Sequence, residues 1–283
     1  MIVVVASGKG GTGKTTLAVN MAAAVAADHR IRLLDADVEE PDCHLYIRPP
    51  HEETIPVGVP IPIVDSKLCD GCGLCARTCR FKALIALPRE PLLFPELCHG
   101  CGACTYACPR NAISEQRRPI GAIKRSYLGR LEFAQGVLNV GETRTTPLIQ
   151  ALKQLGEGRQ ECDGRDTVID APPGASCAAV ETLKGADFAV LVTEPTPFGL
   201  NDLRLIVEAV RKLEVPFGVV VNRMGLGDCR VQEYCAEEDI PVLMEIPDDR
   251  RIAVACSRGE IAALEYPSLA EGLRSLFARV TGP

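Results

Sequence analysis

The sequence predicts an α/β fold: a mostly parallel sheet covered by helices on both faces, interrupted by a small α+β insert. Three observations predict it. Apolar runs of strand length alternate with segments of helical apolar spacing, and several of the runs end in a polar residue, as at Asp35, Asp170 and Asn222. A glycine-rich stretch, Gly8-Lys-Gly-Gly-Thr-Gly-Lys-Thr-Thr16, separates the first apolar run from the first helical segment. Two four-cysteine runs of identical spacing lie between residues 69 and 108.

Ile2 to Ala6 reads as a buried strand and Leu17 to Ala27 as a helix, so the glycine-rich stretch is a strand-to-helix turn, the setting of a phosphate-binding loop. Gly8, Gly10, Gly11 and Gly13 permit torsions and close approach that a β-carbon blocks, and they leave the amides around Thr12 free for phosphate oxygens. Lys14 neutralises β/γ-phosphate charge, the Thr15 hydroxyl ligates Mg²⁺, and Thr16 closes the motif. The nucleotide is expected to be ATP or ADP. Ile31 to Leu34 is a second strand, ending in Asp35-Ala-Asp37. These carboxylates lie at the sheet edge where the loop presents phosphate, and act there or cap the next turn. Cys43 and His44 belong to no paired motif and read as structural.

Proline-rich sequence from Pro49 to Pro62 marks a change of domain. Cys69-x-x-Cys72-x-x-Cys75-x-x-x-Cys79 follows, and the same spacing returns as Cys98-x-x-Cys101-x-x-Cys104-x-x-x-Cys108. The flanks repeat as well, which indicates an internal duplication. Cysteines at i, i+3 and i+6 wrap three irons of a cubane, while the fourth points to the other cluster. Zinc ribbons also use Cys-x-x-Cys pairs, though not two identical four-cysteine runs.

Residues 116 to 130 are basic (Arg117, Arg118, Lys124, Arg125, Arg130), either a solvated face or a dock for an acidic electron-transfer partner. Leu131 to Val140, with a central Gly136, suggests a hairpin, and Pro147 to Leu155 a helix. Thr167 to Asp170 is an apolar strand ending in an aspartate suited to hold Mg²⁺ through water, and Ala171-Pro-Pro-Gly174 continues it. Phe188 to Thr193, Phe217 to Val221 and Val242 to Ile246 are further strands, the second followed by Asn222-Arg223. Cys229, Cys235 and Cys256 read as small buried apolar residues. Ser268 to Val280 is an amphipathic helix, for core packing or for a membrane surface.

With 47% apolar and 24% charged residues and a net charge of −6, the chain has ordinary globular composition and no general nucleic-acid footprint. No tryptophan and few other aromatics argue against stacking platforms for single strands. No apolar run reaches bilayer length, and the expected location is the cytoplasm, with membrane association not expected. Fourteen cysteines are too many for a cytosolic protein unless metal uses them.

The Lys-Gly-Gly-x-Gly-Lys-Thr-Thr form of the loop resembles the deviant P-loop of the MinD/ParA family, which includes the nitrogenase iron protein and the arsenical pump ATPase. The resemblance implies a P-loop ATPase that works as an ATP-dependent homodimer, or as a heterodimer with a related ATPase. By that resemblance Lys9 reaches the partner's nucleotide, Asp37 of switch I positions the attacking water, and Asp35 lies near the Mg²⁺ shell. Asp170 is the Walker B residue, the Gly174 amide in switch II senses the γ-phosphate, and Asn222-Arg223 contact adenine, bordered by the loop Pro247 to Arg250.

Residues 60 to 115 resemble the bacterial two-cluster ferredoxin. That pattern implies two [4Fe–4S] clusters, one on Cys69, Cys72, Cys75 and Cys108, the other on Cys98, Cys101, Cys104 and Cys79. Gly71, Gly73, Gly100 and Gly102 would let backbone approach cluster sulfide. Arg80 stands where a proline is usual, and His99 follows Cys98. The expected domains are therefore 1–58 with 120–283 for the ATPase, and 59–119 for the insert. The expected function is ATP hydrolysis coupled to electron transfer with a redox protein partner. A positioning ATPase with redox-sensing clusters and a metal-cofactor carrier are the alternatives; scaffold carriers of this superfamily use a C-terminal Cys-x-x-Cys pair, and none follows Cys108.

Overall fold

Val3, Val4 and Val5 are all fully buried, so the first strand is covered on both faces rather than on one. The computed structural model describes residues 1–156 and 165–282; Cys162 lies outside them. The chain forms two units, one of Met1–Ile55, Ile123–Leu138 and Thr145–Pro283, the other of Pro56–Ala122 and Asn139–Arg144.

The first unit opens with β1 (Ile2–Ala6), α1 (Lys14–Ala26), β2 (Ile31–Asp35) and α2 (Cys43–Ile47). β3 (Glu53–Val64) carries the chain into the second unit, which holds α3 (Leu74–Thr78), the antiparallel pair β4 (Leu84–Ile85) and β5 (Leu92–Leu93), and α4 (Ala103–Ala107). β6 (Ile113–Leu128) brings it back. Then follow β7 (Leu131–Leu138), α5 (Thr145–Gly156), β8 (Asp166–Asp170), α6 (Cys177–Leu183), β9 (Phe188–Thr193) and α7 (Pro197–Lys212). β10 (Phe217–Met224), α8 (Arg230–Glu237), β11 (Val242–Pro247), α9 (Arg250–Ser257), α10 (Ala262–Glu265) and α11 (Pro267–Thr281) complete the chain.

Among the described residues nine strands form one sheet in the order β11-β10-β9-β1-β8-β2-β7-β6-β3. From β11 to β7 every neighbouring pair is parallel. Val3, Val5, Ile31, Leu33 and Val168 share one core with α1 and α11, while α5, α6 and α7 pack against β7, β1 and β9. α11 buries Ala270, Leu273, Leu276, Phe277 and Val280, so its apolar face is occupied by packing and not by a membrane. No helix among the described residues is long and apolar enough to cross a bilayer.

Several local expectations change. The stretch from Pro49 to Pro62 does hold the passage between the units, at Ile55 and Pro56, but most of it is the strand β3 and not an irregular linker. Gly136 is not a turn residue: it lies inside β7, where a β-carbon would fall on Val38, and the reversal sits at Gly129 (φ +59°) between β6 and β7. The basic run is spent within the chain. Arg117 donates to the Gly58 carbonyl, Arg118 pairs with Glu142, Lys124 with Glu52 and Arg125 with Glu132, and Arg130 donates to the Ala27 carbonyl. Of the three cysteines expected to be buried, only Cys235 is; Cys229 is exposed and Cys256 half-buried.

Candidate functional site

The phosphate loop takes its shape from two glycines. Gly8 has no room for a β-carbon because the Asp202 carbonyl of α7 occupies that position. Gly13 caps α1 in the left-handed region (φ +90°), and a β-carbon there would strike the Asn222 amide. Thr12 is buried, and its Oγ1 has no partner in the protein, an orphaned polar atom inside the loop.

The strand ends bring the charged groups together. Lys14 Nζ lies 3.3 Å from Asp170 Oδ1, with both side chains buried. The neighbouring Thr15 side chain, like Lys14, works to lower Asp170 against its burial. Asp35 and Asp170 pair across β2 and β8. Asp35 accepts from the backbone N–H groups of Asp37 (3.1 Å) and Cys43 (2.9 Å), and the Cys43 thiol donates to Asp170 Oδ2 (3.6 Å). Burial and the neighbouring Asp170 push Asp35 up to about 8, and burial pushes Asp37 up to about 6 and raises Asp170 against the pull of Lys14. Lys14 offsets the charge of one of these two buried carboxyls, and Asp35 is still held protonated to about 8. A divalent cation would supply the positive charge that lets both ionise, so the residues fit Mg²⁺.

The raised Asp35 makes stability pH-dependent. Between the usual 3.8 and about 8 the folded chain keeps a proton that the unfolded chain has released, so this contribution to stability is full at low pH and is lost as pH rises through about 8. Without Mg²⁺ or nucleotide, the melting temperature should fall from pH 5.5 to 8.5, and Asp35→Asn should flatten that slope. Equal slopes in the two proteins would overturn the assignment.

Other expected residues are engaged differently. Lys9 Nζ pairs with Glu194 Oε2 at 3.2 Å, and Arg223 holds the other oxygen of Glu194 at 2.6 Å, so reaching a partner's nucleotide requires Lys9 to leave Glu194. The Gly174 N–H donates to the Ser7 carbonyl (2.9 Å), a bond that must exchange before this amide can meet a phosphate. Asn222 Nδ2 donates to the Thr12 carbonyl (2.8 Å) and so ties β10 to the loop. A cavity of about 200 Å³ opens beside Gly13 and Thr16, lined also by Asn222, Arg223, Pro247 and Cys256. Thr16 Oγ1 lies 3.3 Å from the Tyr46 hydroxyl. The sequence reading missed Glu194, Tyr46 and the place of Cys43 in the carboxylate pocket. No local motif marks them: the chain after Asp37 brings Cys43 and Tyr46 of α2 back to the strand ends, and Glu194, just after β9, meets Lys9 and Arg223 from distant parts of the chain.

In the second unit the cysteines surround two small cavities. Cys69, Cys72, Cys75 and Cys108 line one, and Cys79, Cys98, Cys101 and Cys104 line the other. Helices α3 and α4, which carry the inner cysteines, pack together. The four glycines of the runs all have positive φ, and at Gly71 and Gly100 a β-carbon would press on the Pro88 and Pro60 carbonyls. Glycine is thus required first by the turn and by protein backbone. The Ala112 N–H donates to Cys108 Sγ (3.3 Å), and Arg144 donates to the Cys98 carbonyl (2.6 Å). His99 stacks on Phe81 with ring centroids 3.8 Å apart.

These cavities fit a cluster better than a single ion. Among the described residues the only three ligand atoms lying within 4.8 Å of one another are those of Asp35, Cys43 and Asp170. Tetrahedral zinc, with Zn–S near 2.3 Å, holds its sulfurs about 4 Å apart or less. Among the described residues no three sulfurs of either cysteine set lie all within 4.8 Å of one another, which is too wide for one tetrahedral ion.

Comparison with known proteins agrees with the fold. An uncharacterized protein of Methanocaldococcus jannaschii is 30% identical, with 95% of this chain and 93% of that one aligned. A protein of Pyrococcus horikoshii named iron-sulfur cluster carrier protein is 25% identical over 99% of this chain and 88% of its own. The septum site-determining protein MinD of P. horikoshii, solved with Mg-ADP, superposes with a TM-score of 0.59 at 18% identity, covering 99% of this chain and 96% of that one. The model of the CobQ/CobB/MinD/ParA nucleotide binding domain matches residues 3–262. With a phosphate loop between β1 and α1 and buried carboxylates at the ends of β2 and β8, the chain belongs to this nucleotide-binding family.

Proposed function

We propose that the protein is an ATP-binding and ATP-hydrolysing iron–sulfur protein that couples nucleotide state and dimerisation to electron transfer through two [4Fe–4S] clusters. The observation that carries the reading is the crossed lining of the cysteine cavities, three cysteines of one run and the fourth of the other in each. Bound clusters supply one-electron carriers. Lys14 and Lys9 stabilise charge developing on the phosphates, Thr15 and Asp170 hold Mg²⁺, and Asp37 orients water. Gly174 and Asn222-Arg223 read the terminal phosphate and the base. The partners are a second copy or a related ATPase, and a redox protein.

β3 leaves the first unit soon after the Asp35–Asp37 switch, so a nucleotide-dependent change in that switch has a short covalent route toward the cysteines. Anaerobic redox titration followed by EPR, with and without a non-hydrolysable ATP analogue, tests the coupling. The midpoint potential of at least one cluster should shift with nucleotide. Identical potentials overturn direct gating and favour clusters that sense redox state for an ATP-dependent binding event.

A second reading, cluster carriage, draws support from the name of the Pyrococcus relative. Against it, no Cys-x-x-Cys pair follows Cys108, and the eight cysteines around the cavities form two complete ligand sets. Retention of iron during incubation with an apo-acceptor separates the two readings.

A further inference from the structure

Cys43 has a place that a structural thiol does not need. Asp35, Cys43 and Asp170 are each 0% exposed, come from three different elements, and point one ligand atom apiece into a space where all three lie within 4.8 Å of one another. The thiol faces Asp170 Oδ2, while the Cys43 backbone N–H fixes Asp35 Oδ2. On the next strand Gln135, in register with Asp35, is also buried, and its Oε1 has no partner in the protein. Mg²⁺ prefers oxygen ligands alone, so a sulfur adds nothing to its binding. Thiolate with carboxylates suits softer divalent ions such as Zn²⁺ or Cd²⁺.

We propose that Cys43, Asp35 and Asp170 form a binding site for a thiophilic divalent cation that competes with Mg²⁺-nucleotide. The inference rests on the nucleotide reading only for the competition; the three-ligand site stands on the residues themselves. On binding, the S–H bond breaks, a sulfur–metal bond forms and the proton goes to solvent, with no change in oxidation state. The Lys14 ammonium, 3.3 Å from Asp170, must swing aside. Since Asp170 serves both ions, a bound soft cation excludes productive Mg²⁺-nucleotide, which makes the ATPase sensitive to free thiophilic metal.

The test uses cluster-loaded, nucleotide-free protein and ¹¹³Cd²⁺. The unmodified chain should give a cadmium NMR resonance in the range of mixed sulfur and oxygen ligation, displaced by Mg-ADP. Cys43→Ser should weaken Cd²⁺ binding by more than the roughly 10–100-fold expected from a neighbour that merely orients a ligand. Cys235→Ala, a buried thiol elsewhere, should bind Cd²⁺ as the unmodified chain does. An all-oxygen resonance, a resonance that Mg-ADP does not displace, or a smaller effect of Cys43→Ser overturns the proposal. If Cys43→Ser fails to fold, the spectrum of the unmodified chain still decides. Mg-ADP affinity measured without cadmium reports separately on the nucleotide reading.

Discussion

Lys14→Ala should lower ATP turnover by about 10²–10³-fold, the usual effect of removing one preorganised charge from a reacting group in a site shielded from water. Its side chain is only 8% exposed, and its ammonium lies against Asp170, the carboxylate proposed to hold Mg²⁺. A charge held there acts in a low effective dielectric and needs no rearrangement when the terminal phosphate begins to depart. The substitution leaves the backbone amides of the loop in place, so loss of turnover should exceed loss of ADP binding. Lys9→Ala separates the two lysines. Its side chain is 32% exposed and its ammonium is bound to Glu194, so ADP affinity in the monomer should be kept while hydrolysis falls. Phosphate release at wild-type rate by Lys14→Ala would remove this lysine from the mechanism.

The second large effect concerns iron content. Two four-iron clusters require about eight irons per chain. The double substitution Cys79→Ser with Cys98→Ser strikes one cavity only and should leave about four irons. Cys75→Ser with Cys98→Ser strikes both and should leave close to none. If each cluster were instead held by one contiguous run, the first pair would damage both sites, and the two proteins would look alike. Iron analysis with EPR of the reduced protein distinguishes these results, and equal iron contents would overturn the crossed ligation.

Which features were legible in the sequence follows from how far apart their parts lie. The phosphate loop is nine consecutive residues at a strand-to-helix turn, and the cysteine runs repeat without a gap, so both are written locally. β3 was not legible because its prolines look like a linker. Pro56, Pro60 and Pro62 all have even numbers, so in an extended strand their missing N–H groups fall on the same side, and β3 is the outermost strand of the sheet. Prolines are tolerated along such an open edge. Gly136 looked like a turn because nothing near it in sequence reveals Val38, the side chain that fills its β-carbon position. Cys43 and Glu194 were missed for the same reason. Their partners, Asp170 for one and Lys9 and Arg223 for the other, lie far away along the chain.

The position of β1 in the sheet dictates the order in which a nascent chain matures. Its register partners, Thr167 opposite Ile2 and Phe188 opposite Val3, leave the ribosome 165 and 185 residues later. At translation rates of about 5–20 residues per second, the first strand waits roughly ten to forty seconds for its neighbours. Throughout that time the phosphate loop lacks Asp170. All eight cysteines around the cavities have by then been made, within residues 69 to 108. The growing chain thus carries all eight of these cysteines while its phosphate loop still lacks the buried carboxylate of β8.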